Sequence, residues 1–148
     1  MSNKEVDVLR AIQSTLYDAP GVLPTARGLS HFGEHALGWL GISAAGAAVD
    51  GKRRRKWLAM GAGAFTAHAA SVVIKRIVRR RRPHDPRIKV GVGTPSRLSF
   101  PSSHATSTSA AMVHLADITG SKLPYLGIPI MMTSRMVLGV HYPTDTLA

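Results

Sequence analysis

The sequence contains no cysteine, few aromatic residues and few acidic ones, and each shortage narrows what the protein can do. Without cysteine, disulfides and thiolate metal sites are excluded, although the redox compartment stays undecided. Aromatic residues are only 5% of the chain, which offers little for stacking nucleic-acid bases. The 8 acidic residues face 19 Lys and Arg, a net charge of +11. That charge favours anionic partners: phosphate groups, nucleic acid or an anionic membrane surface.

Patterns other than helical ones are also missing. No stretch alternates apolar and polar residues for long enough to predict a sheet, and no internal repeat is evident. The N-terminal residues mix both charges and lack the basic-then-apolar order of a secretory signal. The 148 residues are the length of one ordinary domain. We therefore predict a single all-α domain over residues 1–148.

Four apolar stretches follow an amphipathic N-terminal segment. Residues 3–17 place apolar side chains at helical spacing beside charged neighbours, and a Pro- and Gly-bearing break follows. Such a helix could lie on a membrane or pack on a soluble core, and we assign residues 1–30 to an amphipathic, interfacial segment. The apolar stretches are residues 35–49, 57–74, 101–116 and 123–140. Trp57 to Ile74 carries no formal charge over 18 residues, about the length needed to cross a hydrocarbon core.

Small residues and a tryptophan favour a membrane bundle over a soluble helical bundle, which hydropathy alone leaves possible. Gly63 and Ala67, four residues apart, suit close helix–helix contact in lipid. Trp57 beside basic residues fits an interfacial anchor. We therefore predict an integral membrane helical bundle with about four to five transmembrane helices after the amphipathic helix.

Three polar clusters lie at the edges of the apolar stretches, and the first contains Lys75 and Arg82. These residues are seven apart, so they share a helix face if the helix continues that far. The other basic residues nearby, at 76 and 79–81, and the run at 51–56 are typical of topological or snorkelling residues. Because the topology rule needs a basic run at only one end of a span, one of these runs is expected to have another role.

The second cluster is Ser102, Ser103 and His104, at the start of a predicted helix. A serine there can cap the helix, and the free N–H groups of a helix start can bind phosphate. These two interpretations are compatible. His104 adds a group that can give or take a proton near neutral pH. The hydroxyls at 106–109 fit small helix-packing residues whose hydrogen bonds are satisfied locally.

The third cluster is Arg135, His141 and Asp145. An arginine inside an apolar span is costly and marks a functional residue. Asp145, four residues after His141, could accept a hydrogen bond from one imidazole nitrogen and leave the other as a nucleophile or base. The alternative is a capping aspartate beside an interfacial histidine. The other histidines show no repeated metal-ligand spacing, and His68 and His114 fit packing or interhelical hydrogen bonding.

The order of the three clusters is more specific than any one of them. Lys-x6-Arg-Pro (75–83), Pro-Ser-x-His (101–104) and Ser-Arg-x5-His-x3-Asp (134–145) together resemble the phosphatidic acid phosphatase type 2 superfamily. This superfamily includes membrane lipid phosphatases, bacterial acid phosphatases and vanadium haloperoxidases, and the apolar stretches fit the membrane branch. One position departs, because Ser103 stands where the family usually has a glycine whose amide faces phosphate. Serine keeps that amide but adds a side chain, so retained activity is expected.

The resemblance implies a metal-independent reaction that uses no cofactor. His141 would attack phosphorus and form a phosphohistidine, with Asp145 orienting its ring, and His104 would protonate the leaving alkoxide and then activate water. Holding the phosphoryl oxygens would fall to Lys75, Arg82, Ser102, Ser103 and Arg135.

The resemblance also bears on the substrate. The chain is most similar to short actinobacterial members, which implies a polyprenyl-linked phosphate of cell-wall precursor synthesis, such as decaprenylphosphoryl-5-phosphoribose. Phosphatidic acid, phosphatidylglycerol phosphate and polyprenyl diphosphates are alternatives, and a haloperoxidase or a basic membrane adaptor is a more distant one. The expected partners are the lipid phosphate and membrane lipids, with no nucleic acid and an unassigned oligomeric state.

A multi-pass protein of the cell membrane is expected, with a further helix continuing past Asp145. If the basic run at 52–56 is cytoplasmic, the site after the next span faces the extracytoplasmic side.

Overall fold

The computed structural model describes residues 3–94 and 96–147, and every element named within these residues is helical. The helices are α1 (Asn3–Leu16), α2 (Val22–Gly33), α3 (Leu37–Val49), α4 (Arg54–Val78), α5 (Ser103–Thr119), α6 (Gly127–Val137) and α7 (Pro143–Leu147). Three short 3₁₀ turns cover Glu34–Ala36, Gly51–Arg53 and Leu123–Leu126. The predicted all-α class is confirmed, and the four apolar stretches correspond to α3, α4, α5 and α6.

Helices α3, α4 and α5 form the centre of the bundle, with α6 packed on α5 and α2. Met60 and Ala64 of α4 pack with Ala111 and Met112 of α5 in the main buried cluster. Small residues bring these helices close together: a Cβ on Gly63 would lie 2.8 Å from the Nε2 atom of His114. The expected role of Gly63 in close helix contact is therefore confirmed.

One helical segment within the described residues, Gly51–Val78, is long and apolar enough to cross a membrane. Only 22% of its apolar window is buried inside the protein. Large apolar side chains such as Phe65, Val73 and Ile77 are exposed. An exposed apolar helix surface is typical of a lipid contact. Helices α3, α5 and α6 have 13, 17 and 11 residues, against the roughly 20 that a full crossing needs. The predicted number of spans is therefore not confirmed.

The amphipathic helix predicted at the N-terminus is present as α1, but its apolar face lies against the protein. Val6 and Leu9 are buried with Ile88 and Tyr142. Gln13 on the same face is also buried, and its Nε2 atom donates to the carbonyls of Lys89 and Val137 at 2.6 and 2.9 Å. The apolar side of α1 therefore contributes to the core, which is the packing alternative to a position on the membrane.

Helix α2 was not expected, because its sequence contains proline and glycine. The predicted break is confined to the turn before α2, where Gly21 adopts a φ of 78°. Pro24 lies in the first turn of α2, where the missing N–H has no helical partner to lose. Helix α2 packs on α5 and α6 and ends at the turn that contains His35 and Ala36. This extra helix forms one wall of the site described below.

Candidate active site

Six of the eight predicted site residues line one cavity of about 260 Å³. The six are Lys75 of α4, Arg82 of the loop after it, Ser103 and His104 of α5, Arg135 of α6, and His141 of the α6–α7 loop. The other two predicted residues, Ser102 and Asp145, are buried and are not among the residues that line the cavity. Three helices and two loops of the chain therefore meet at one site.

Three cationic side chains converge on this cavity. The Nζ atom of Lys75, in the last turn of α4, donates to the carbonyls of Ser99 and Pro101. Arg82 donates from Nε to the Ser96 carbonyl at 2.7 Å and from Nη1 to the Val140 carbonyl at 3.0 Å. Burial lowers the pKa of Arg82 to about 10, against the opposing effect of Asp145, so Arg82 remains charged at neutral pH.

Arg135 is the most buried of the three cations, with 2% of its surface exposed. Its Nη1 atom donates to the Oγ atom of Ser30 at 2.8 Å, and its buried Nε atom has no hydrogen-bond partner within residues 3–94 and 96–147. A buried cation is costly unless an anion pairs with it. With Lys75 and Arg82 lining the same cavity, the site suits a multiply charged anion such as a phosphoryl group.

His141 presents one ring nitrogen to Arg82 and the other to Asp145. The Arg82 Nη1 atom lies 2.9 Å from His141 Nε2, and because arginine can only donate, Nε2 is the accepting nitrogen. The ring proton of the neutral imidazole is therefore assigned to Nδ1, 3.8 Å from Asp145 Oδ2. Burial, with the charges of Arg135 and Arg82, lowers the pKa of His141 well below its ordinary value. The imidazole is therefore neutral at pH 7, with a lone pair on Nε2.

The predicted orientation of His141 by Asp145 is not a direct hydrogen bond in this structure. His141 Nδ1 has no hydrogen-bond partner among the described residues, and the 3.8 Å separation is too long for a bond to Asp145. The Asp145 carboxylate instead accepts from the Tyr142 amide at 2.7 Å and from Arg80 at 3.0 Å. Asp145 thus holds the backbone beside His141 and stays within electrostatic range of its ring.

Arg80 was assigned to a basic rim from the sequence, and that assignment is wrong. Its Nη1 atom donates to Asp145 Oδ1 and, at 2.6 Å, to Thr144 Oγ1, while its Nη2 atom pairs with Glu5 of α1. Its guanidinium also lies 4.3 Å from the centre of the Tyr142 ring. Arg80 thus links Asp145 to α1. Within a run of four arginines, no sequence signal distinguishes the one that pairs with Asp145.

His104 is held by α2, the helix that the sequence analysis missed. Its Nε2 atom lies 2.8 Å from the Ser30 carbonyl, which can only accept, so Nε2 carries a proton and Nδ1 is the other nitrogen available for chemistry. The hydroxyl of Ser30 meets Arg135, so one residue of α2 contacts two predicted site residues. A Cβ on Gly33 would lie 2.7 Å from His104 Cδ2, which explains the absence of a side chain there.

The two serines at the start of α5 have different surroundings. Ser102 is the N-cap, since its Oγ atom accepts from the Ala105 amide at 3.2 Å, and its own amide donates to the Asp145 carbonyl at 2.8 Å. The side chain of Ser103 pairs with Ser71 Oγ of α4 at 2.7 Å. The additional side chain at 103 is thus accommodated by a hydrogen bond to α4.

The hydroxyls of Thr106, Ser107 and Ser109 are satisfied locally along α5, as expected, whereas the bond to Thr108 comes from another helix. Thr106 and Ser109 donate to the carbonyls four residues earlier, both at 2.7 Å. Thr108 accepts from the Trp39 indole of α3 at 3.1 Å. These residues hold the helix and its neighbours and are not among those that line the cavity.

Comparison with known proteins agrees with this geometry. The sequence model of the PAP2 superfamily matches residues 56–148. Two curated relatives named decaprenylphosphoryl-5-phosphoribose phosphatase are similar to the chain. The one from Mycolicibacterium smegmatis is 64% identical over 140 residues, which cover 95% of this chain and 78% of the relative. The one from Mycobacterium tuberculosis is 59% identical over 141 residues, 95% of this chain and 80% of the relative.

A solved structure has a similar fold. It is the crystal structure of the first transmembrane PAP2 type phosphatidylglycerolphosphate phosphatase from Bacillus subtilis. The alignment has a TM-score of 0.71 and covers 99% of this chain and 79% of that one. At 23% sequence identity, the similarity bears on the fold alone.

Proposed function

The chain belongs to the PAP2 superfamily and is a phosphatase, and we propose that it hydrolyses a lipid phosphate monoester through a phosphohistidine intermediate. The observation that carries this proposal is the meeting of Lys75, Arg82 and Arg135 with His104 and His141 in one cavity. Three fixed cations can hold the phosphoryl oxygens and offset the charge that develops on them in the transition state.

In the first step, the Nε2 lone pair of His141 attacks phosphorus. The N–P bond forms, the bond from phosphorus to the ester oxygen breaks, and that oxygen leaves with its electron pair. In the structure Arg82 Nη1 donates to His141 Nε2. When substrate binds, this hydrogen bond must transfer to a phosphoryl oxygen so that the Nε2 lone pair is free to attack. Asp145 stabilises the ring, which becomes cationic, through the Nδ1 side.

His104 exchanges the proton in both steps. Its Nε2–H is held by the Ser30 carbonyl, so Nδ1 is the position that carries the transferred proton. A bound phosphate dianion stabilises the imidazolium form, which gives its proton to the leaving oxygen. The same nitrogen then takes a proton from water as the water oxygen attacks phosphorus. The N–P bond breaks, and inorganic phosphate and neutral His141 are released.

The proposed substrate is a polyprenyl-linked sugar phosphate such as decaprenylphosphoryl-5-phosphoribose, the compound in the names of the two curated relatives. The surroundings of the cavity are compatible with a lipid tail. Val72, Lys75 and Arg76 line the cavity from the last turns of α4, and Val73 and Ile77 on the same turns are exposed. A polyprenyl chain could therefore remain in the bilayer beside α4 while its phosphate enters the site.

The proposed setting is the cell membrane, crossed by α4 and by further helices of the bundle. The basic run at 52–56 and the site residue Lys75 lie at opposite ends of α4. If the basic run is cytoplasmic, as such runs usually are, the site opens on the extracytoplasmic side.

Phosphate release in detergent tests the function. The full chain is assayed with a chelator present against decaprenylphosphoryl-5-phosphoribose, phosphatidic acid, phosphatidylglycerol phosphate and a polyprenyl diphosphate. We expect turnover to be fastest with the first, to be inhibited by vanadate, and to be lost in His141→Ala. His84→Ala, at an exposed loop histidine, is the control and should keep the activity. Full activity in His141→Ala would refute the mechanism.

A further inference from the structure

A second group of polar side chains lines the same cavity and lies outside the three sequence motifs. His31, Glu34 and His35 come from the end of α2 and the turn after it, and His68 comes from α4. None of them is needed for the chemistry proposed above. They join the phosphate-binding cations because α2 and α4 both border the cavity.

These side chains are not explained by packing. His31 and His35 are exposed, and Glu34 is half-buried. The buried Nδ1 atom of His68 has no hydrogen-bond partner in the part of the chain that the structure describes, which leaves an unsatisfied polar group beside the cavity. The rings of His35 and His68 meet edge to face, with centroids 5.6 Å apart. The turn after α2 and helix α4 therefore place these two imidazole rings in contact.

The turn that carries Glu34 and His35 is itself unusual. His35 and the next residue, Ala36, both adopt left-handed backbone conformations, with φ of 52° and 59°. Two consecutive non-glycine residues in this region are disfavoured, and such strain concentrates at functional sites. The intrinsic φ preferences of histidine and alanine do not account for this turn. The turn does place the side chains of Glu34 and His35 in the lining of the cavity.

The chemistry of the group points away from phosphate. A carboxylate such as Glu34 repels a phosphoryl group. Carboxylates and imidazoles do accept hydrogen bonds from hydroxyl groups, and imidazoles also donate them. The alcohol released from phosphatidic acid carries ester groups and alkyl chains and has no hydroxyl besides the one that hydrolysis creates. It would leave these side chains unpaired.

We propose that Glu34 and His68, together with His35, form a subsite for the hydroxyl groups of a polyhydroxylated leaving alcohol. This inference rests on the proposed phosphatase function and specifies its substrate class: the phosphate monoester of a sugar. Glu34 and Arg135 line the same cavity, so the subsite borders the phosphate site directly. Hydroxyls next to the ester oxygen would then reach Glu34 while the phosphoryl group contacts the cations.

Two monoesters that differ in their hydroxyl groups test the subsite: ribose 5-phosphate and 1-pentyl phosphate. Each has a five-carbon leaving group, and only the first is hydroxylated. The readout is the ratio of their kcat/KM values for the full chain in detergent. We expect the wild type to prefer ribose 5-phosphate by about tenfold or more, since a site built for hydroxyls discriminates strongly against their absence.

Glu34→Gln and His68→Phe should each lower that ratio by about tenfold, the effect of losing one hydrogen bond to a charged or buried polar group. Gln keeps the shape of Glu34 and removes its charge, and Phe keeps a ring and removes both nitrogens. His84→Phe, at an exposed histidine that does not line the cavity, is the matched control and should leave the ratio unchanged. If His68→Phe fails to fold, Glu34→Gln answers the same question.

Two results would overturn the inference. One is a wild type with no preference for ribose 5-phosphate. The other is a pair of variants that slow both esters by the same factor, which would mean a structural role. His141→Ala separates this inference from the proposed function: it should abolish turnover of both esters. Activity that persists in that variant counts against the phosphohistidine mechanism, while the ratio measured in Glu34→Gln still decides the subsite.

Discussion

Arg80 contacts Asp145 from outside the cavity, and its replacement by alanine tests whether it positions the candidate site. Three acceptors surround its guanidinium: Asp145, Thr144 and Glu5. The Asp145 side chain has no exposed surface, whereas those of Arg80 and Glu5 are 20% and 17% exposed. Arg80→Ala therefore leaves a buried carboxylate with the Tyr142 amide but without its cation.

The expected loss of stability follows from this burial. Breaking a buried ion pair by removing one partner costs about 3–5 kcal/mol. Because water can reach part of the Arg80 site, we expect a smaller loss than this range, about 2–3 kcal/mol, in the free energy of unfolding. A shifted Asp145 also disturbs the loop that carries His141. Since small misplacements of reacting groups are costly, kcat should fall by roughly 10–100-fold. KM should change less, because Arg80 does not line the cavity.

The measurements are denaturant unfolding in detergent and phosphate release at saturating and limiting substrate. Arg81→Ala is the matched control: it removes the same charge from the next residue, whose side chain is exposed. Arg80→Lys should be intermediate, since an ammonium keeps the charge but cannot reach three acceptors in the same geometry. If Arg80→Ala and Arg81→Ala have the same kcat and unfolding free energy, the positioning role is refuted.

Three further predictions address other parts of the site. Gly33→Ala should lower kcat by about tenfold, because the new Cβ would displace the His104 ring. Gly28→Ala on the same helix is the control: its Cβ would meet no described atom within 4 Å, so kcat should not change. Equal effects of the two variants would contradict this. Ser103→Gly should keep activity within about threefold. Because the hydrogen bond of the Ser103 side chain to α4 is lost, the free energy of unfolding should fall by about 1 kcal/mol. A far larger loss of turnover would contradict this. Burial raises the pKa of Glu5, but hydrogen bonds from Thr144 and Arg80 outweigh it, so the net pKa lies below the ordinary 4.5. The stability that Glu5 contributes should therefore be complete above pH 4.5 and be lost as the pH falls from there through the folded-state pKa. In urea unfolding, Glu5→Gln should remove this pH dependence. Parallel pH curves for the two proteins would contradict this.

The helices of the bundle were predictable because their signals are local. The uncharged stretch from Trp57 to Ile74 and the hydroxyl-rich start of α5 each carry their pattern within a few turns of one helix. Helix α2 was missed for the same reason. Its Pro24 and its glycines disfavour a helix locally, and packing on α5 and α6 outweighs them.

The candidate site was predictable as a set of residues but not as an arrangement. Arginine in an apolar span, a histidine at a helix start and a His-x3-Asp spacing each indicate chemistry without reference to neighbours. Their partners carry no comparable mark. Ser30 lies 105 residues from the Arg135 that it contacts, and Glu5 lies 75 residues from Arg80. No pattern along the chain connects such pairs.

The sequence by itself therefore determined the helical class, the cationic and histidine-bearing motifs, and their order along the chain, because each depends on residue type and short-range spacing. Only the tertiary structure decided which arginine of the 79–82 run holds Asp145. It also placed α2 against His104 and brought Glu34, His35 and His68 to the same cavity. These outcomes depend on where helix ends meet in space, and helix packing sets that through contacts between residues far apart in the chain.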